Sequence, residues 1–122
     1  MLLAALATVS PQRSGAAPPD ATAQAEVQHL LQFVGSSGCS FFRNGEWYPA
    51  RRAAEHLRSK YDYLVTRNKI STAEDFIQKA ASVSSFSSQP YKVRCGPQAE
   101  RLAGQWLSAE LDQFRATRLD NR

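Results

Sequence analysis

Ser40-Phe41-Phe42-Arg43-Asn44-Gly45-Glu46-Trp47-Tyr48 is the stretch on which the reading of this chain turns. Asn-Gly between two aromatic runs is the preferred two-residue type I′ hairpin turn, because both residues tolerate the positive φ that this turn demands. A two-residue loop also sets the register. Arg43 faces Glu46, Phe42 faces Trp47 and Phe41 faces Tyr48. The first pair is opposite in charge and the other two are aromatic, so all three support the hairpin.

Upstream, residues 21–34 carry Val27, Leu30, Leu31 and Val34 at i, i+3, i+4, i+7, one apolar stripe of a first helix. Gly35-Ser36-Ser37-Gly38 ends it. Downstream, Pro49 suits the first position of a second helix, which runs through Ala50, Ala53, Ala54, Leu57, Tyr61 and Leu64. Ser71 with Glu74 reads as a capping box opening a third helix, with Ala73, Phe76, Ile77, Ala80 and Ala81 inward. The Ser-rich run 82–88 reads as a long surface loop pinned to the core by Phe86. Tyr91 to Cys95 alternates as a third strand, and Gly96-Pro97 ends it. A last helix covers about 103–116.

The order predicts an α+β domain: a small three-stranded antiparallel sheet, made of the hairpin plus one later strand, with about four helices packed on one face. A chain of 122 residues holds one such domain and not two. The divisions expected are a signal peptide at 1–17, a linker and helix start at 18–26, the domain at 27–116 and a tail at 117–122.

Cys39 opens the first strand and Cys95 closes the third. An even cysteine count in an exported chain points to a disulfide. A Cys39–Cys95 bridge places those strands side by side and antiparallel. Phe41, Arg43, Glu46, Tyr48, Tyr91 and Val93 then share the core face. Phe42, Trp47, Lys92 and Arg94 share the other. Closing a 57-residue loop contributes about 4 kcal/mol in a chain-entropy model. The two thiols with the distant His29 and His56 do not make a metal site, and no cofactor is implied.

The first nine residues form an apolar run too short to span a bilayer but long enough for the core of a signal peptide. Small residues follow at Ser14 to Ala17, although no positive segment precedes the run and Arg13 interrupts the cleavage region. Export to the periplasm is the expectation, with no transmembrane segment in the mature chain. The alternative is an Ala/Pro-rich linker.

Net charge is +4, and residues 43–70 alone carry seven Lys/Arg against three acids. Such an excess favours an anionic ligand, with a plain solvated helix face as the alternative. Nucleic acid is disfavoured by export. The Phe42, Trp47, Lys92, Arg94 face would stack rings beside cations if it is open. Its alternative is that a helix covers Phe42 and Trp47. No Gly-x-Ser-x-Gly, His-Glu-x-x-His, phosphate-binding glycine loop or Cys-x-x-Cys occurs. Arg43, His56 and Glu74 are the polar residues that a small envelope hydrolase would have to bring together.

Phe41-Phe42-Arg43-Asn44-Gly45, Ala54-Glu55-His56-Leu57-Arg58-Ser59-Lys60-Tyr61, Thr72-Ala73-Glu74-Asp75-Phe76-Ile77 and Pro90-Tyr91-Lys92-Val93 occur in this order, with Trp106-Leu107 near the end. In these segments the chain resembles the YfeK-like family of small bacterial proteins over roughly residues 27–115. The resemblance implies a signal peptide and the periplasm of a Gram-negative cell. It carries no activity, cofactor or catalytic residue. The expected role is a non-catalytic binding or interaction domain whose partner is an envelope protein or an anionic ligand.

Overall fold

The computed structural model describes Ala5 and residues 15–120. The expected signal segment therefore falls almost wholly outside the described residues. The elements are α1 (Ala21–Ser36), β1 (Ser40–Arg43), β2 (Glu46–Pro49), α2 (Ala50–Thr66), α3 (Ala73–Ala80), β3 (Lys92–Arg94), β4 (Arg101–Leu102) and α4 (Ala103–Asp120).

The hairpin pairs as its turn dictates: Arg43 with Glu46, Phe42 with Trp47, Phe41 with Tyr48. Asn44 and Gly45 take φ of 51° and 84°, the left-handed conformations of a type I′ turn. β3 lies antiparallel on the other side of β1, with Phe41 opposite Val93 and Phe42 opposite Lys92. Next to the Ser40–Arg94 pair that ends this ladder, Cys39 and Cys95 form the disulfide, their Cα atoms 4.4 Å apart. The sheet has four strands rather than three, in the order β2-β1-β3-β4. β4 is only two residues long, too short to show any alternation. It forms because the chain after Gly96 turns back along β3 and the Ala103 amide donates to the Tyr91 carbonyl at 2.9 Å.

Helices cover one face of this sheet. Phe41, Tyr91 and Val93 are buried there, and Trp106 of α4 meets the Phe41 ring edge-on at 5.6 Å. α1 contributes Val27, Leu30, Leu31 and Val34, all buried. Burial of each such side chain is worth about 1.5–3 kcal/mol, so this stripe holds α1 in the domain. The remaining core comes from Leu57, Tyr61, Ile70, Phe76, Ile77 and Leu107.

Two local expectations shift. The capping box of α3 is Thr72 with Asp75, one residue later than Ser71 with Glu74. The Thr72 hydroxyl accepts from the Asp75 amide, and the Asp75 carboxylate accepts from the amides of Ser71 and Thr72. Glu74 is unavailable for capping because it pairs with Arg115. Phe86 does not pin its loop: it is 94% exposed. The loop is held instead by a bridge between Val83 and Pro90 and by buried Ser84, whose backbone bonds to Gln89 and Ser88. The segment before α1 is tied down as well. The Ala16 amide donates to the Asn68 carbonyl at 2.6 Å, and the Ser71 hydroxyl bonds to the Ala17 carbonyl.

Candidate functional site: a cationic cleft over an apolar floor

Side chains of β1, β2 and β3 that point to the helical side meet one face of α2. A cleft of about 310 Å³ opens between them. Residues 52, 56 and 60 stand at i, i+4 and i+8 on α2 and so lie on one face of that helix. They bring Arg52, His56 and Lys60 alongside Arg43 of β1, Tyr48 of β2 and Tyr91 beside β3. Beneath this rim lie buried Phe41, Ala53, Leu57, Ala81, Ala103 and Leu107, which form the apolar floor.

The polar groups form one network. Arg43 Nη1 stands 3.4 and 3.5 Å from the two ring nitrogens of His56. His56 Nε2 is 3.3 Å from the Tyr91 hydroxyl. Lys60 Nζ donates to that hydroxyl at 3.2 Å and to the Val83 carbonyl at 3.0 Å. The guanidiniums of Arg43 and Arg52 both lie over the Tyr48 ring, at 5.0 and 5.2 Å. Arg43 Nη1 lies almost equally far from both ring nitrogens, and as a donor only it favours the neutral ring, which keeps a lone pair free to accept. Burial, then the positive charges of Arg43 and Lys60, hold His56 below its usual 6.5. Burial, then Arg43, pulls Lys60 below 10.5. Burial lifts Tyr91 above 10, with Arg43 acting the other way. Among the described residues no ion pair joins Arg43, Arg52 or Lys60 to a carboxylate. Glu55 lines the cleft but is exposed and bonded to none of them. A second, shallower groove of about 330 Å³ continues past Lys60 to Ser84, Ser85 and Phe86 and shares Arg43, His56 and Tyr91.

The residues singled out in the sequence divide three ways. Arg43 and His56 come together. Glu74 does not join them: it lines a different groove between α3 and α4, and its carboxylate accepts from Arg115 Nη2 at 2.6 Å. A site built from Arg43, His56 and Glu74 is therefore not assembled. Phe42, Trp47, Lys92 and Arg94 do share the outer sheet face. The rings of Phe42 and Trp47 lie 5.3 Å apart, Lys92 sits over Phe42 and Arg94 over Trp47. Trp47 is 36% exposed, so it is not buried under a helix. Glu100 neutralises this face, bonding Arg94 at 2.6 Å and approaching Lys92 at 3.8 Å. His29 lies elsewhere, stacked on Phe114 and bonded to Glu110 at 2.9 Å. No group of three or more metal-ligating side chains occurs among the described residues.

Sequence reasoning left Tyr48, Arg52, Lys60 and Tyr91 out of the site. The signal was the spacing of Arg52, His56 and Lys60, one cationic stripe on α2.

Two of the comparisons with known proteins agree with the resemblance of the motifs. The chain is 39% identical over 69 residues to an uncharacterized protein, YfeK, of Salmonella typhimurium, a match covering 56% of each chain. The chain thus spans about half the length of the curated relative it matches. No solved structure matches it. The family model that does match, over residues 21–115, bears the description "Family of unknown function (DUF5329)", and the chain belongs to that family.

Proposed function

We propose that this chain is an exported, non-catalytic binding domain that holds an anionic group in the cleft between the hairpin and α2. The observation that carries the reading is the gathering of Arg43 and Arg52 at the rim, with Lys60 in the adjoining groove, none of which forms an ion pair with a carboxylate among the described residues. Other cations, such as Arg58 and Arg67, also meet no carboxylate among the described residues, but they stand singly on the surface, whereas the rim gathers its cations around one cleft. Elsewhere cations brought together meet acids. Arg115 has Glu26 and Glu74, and Arg94 has Glu100. Like charges gathered beside an apolar floor raise the energy of the empty cleft, and an anion relieves that repulsion. Guanidiniums present planar forks suited to oxyanions. The Cys39–Cys95 bridge supports an oxidising compartment.

The test is an anion panel at low salt: acetate, phosphate, sulfate and octanoate, followed by NMR at His56 and Tyr91. At least one anion is expected to shift both residues, and Arg43→Gln is expected to abolish the shift. If no anion in the panel perturbs either residue, the reading fails.

A second reading rests on exposed Trp47. The outer face of β1, β2 and β3 would be a contact patch for an envelope protein. Its cations are already satisfied by Glu100 and by the rings they cover, so it has less need of a ligand than the cleft.

A further inference from the structure

The cleft is chemically two-sided. Its rim is cationic and hydrogen-bonding, with Arg43, Arg52 and His56. Its floor is hydrocarbon, with Phe41, Leu57 and Leu107 each no more than 6% exposed. A small inorganic anion would use only the rim. The whole cleft amounts to about ten water volumes, and on its floor side Phe41, Leu57, Leu107 and three alanines offer no polar group to hold that water. A purely apolar ligand would fill the floor and leave the guanidiniums unanswered. The shape and chemistry together call for one molecule with both parts.

We propose that the ligand is a small amphiphilic carboxylate, with its head between Arg43 and Arg52 and its hydrocarbon body on the floor. This deepens the anion-binding reading and rests on it. The rim selects the head. Both guanidiniums lie over one ring, that of Tyr48, which gathers them at the same end of the cleft before the ligand arrives. A flat, singly charged carboxylate matches a guanidinium's planar fork. Neutral His56 adds no third charge for a dianion, and Lys60 lines the adjoining groove rather than this cleft. The floor selects the body. Ala53, Ala81 and Ala103 keep it open, because a larger side chain at any of them would occupy the space. Octanoate fits this description and serves as the probe.

The experiment is isothermal titration of the full chain with octanoate, acetate and octan-1-ol at low ionic strength. Octanoate is expected to bind about tenfold or more tightly than either of the others, since each of them lacks one half of the recognition. Arg43→Gln is expected to bring octanoate down to the level of octan-1-ol. Ala53→Leu, which fills the floor, is expected to weaken octanoate while leaving the NMR shifts caused by acetate at His56 in place. Should Ala53→Leu fail to fold, methyl NMR on the unmodified chain replaces it: octanoate must shift Leu57 and Leu107, and acetate must not. Acetate or phosphate binding as tightly as octanoate would overturn the amphiphile and leave the anion site standing. Octan-1-ol matching octanoate would overturn both, because the charge would then play no part.

Discussion

Two arginines occupy comparable positions beside helices and meet opposite surroundings. Arg115 of α4 reaches two carboxylates. Its Nε and Nη2 donate to Glu26 of α1 at 2.7 and 3.0 Å, and Nη2 also donates to Glu74 of α3 at 2.6 Å. The two acids raise the Arg115 pKa still further. Arg43 of β1 reaches a neutral histidine, with Lys60 and Arg52 nearby. One cluster joins three helices and lowers the energy of the fold. The other concentrates like charge, and burial together with that charge holds His56 and Lys60 below their usual pKa values. Only the first is explained by stability, which is why the second is read as a site.

The contrast breaks most sharply at Arg115. Glu26 is only 5% exposed, and Arg115→Met leaves its charge without a partner. Because Arg115 itself is 39% exposed, the loss is expected at about 2–3 kcal/mol, below that of a fully buried pair, and urea denaturation reads it as a lower midpoint. No measurable loss would mean that the three-helix clasp is not a stabilising feature.

Acidification separates the two clusters. His56 has a folded pKa below its unfolded 6.5, so on acidification the unfolded chain takes up a proton first. Stability therefore falls as the pH drops below about 6.5 and levels off once the folded histidine also protonates. Glu74 behaves oppositely in origin. Its hydrogen bond to Arg115 holds its pKa below 4.5, so its contribution is complete above that value and is lost as the pH falls through the folded pKa. Denaturation at a series of pH values should show two separate declines. His56→Gln is expected to remove the upper one and Glu74→Gln to shrink the lower, to which Asp75 also contributes through its hydrogen bonds to the Ser71 and Thr72 amides. A single decline that both variants leave unchanged would contradict the assignment.

Arg43→Gln should change stability little, within about 0.5 kcal/mol, because it removes a repelling charge along with its contacts. The informative readout is His56, whose pKa should rise toward 6.5 in an NMR titration. An unmoved histidine would show that burial and Lys60 depress it without help from Arg43. The smallest effect is expected at Phe86. It is 94% exposed, and Phe86→Ser should leave the thermal midpoint where it was. A drop would mean that the ring packs onto the groove beside Lys60.

Much of the fold was legible because its signals are local. Asn44-Gly45 set the hairpin register, and the alternation from Tyr91 to Cys95 with the two cysteines set the pairing of β3 on β1. The stripe of α1 was explicit in its period. The misses have physical causes too. β4 is too short for periodicity, and Ser71-x-x-Glu74 competes with Thr72-x-x-Asp75 on equal sequence terms. Arg115 decided that contest by taking Glu74, from 41 residues away.

By itself the sequence determined the turn, the strand register, the faces of the sheet and the buried stripes, since each depends on neighbours within a few positions or on a period of 2 or 3.6. Only the tertiary structure decided which charges would be paired and which left unpaired. Glu26, Glu74 and Arg115 meet across three helices, whereas Arg43, Arg52 and Lys60 meet across a strand and a helix with no acid among them. Glu55 also lines that cleft but bonds to none of the three, so both outcomes rest on distances between residues that the packing of helices on the sheet sets.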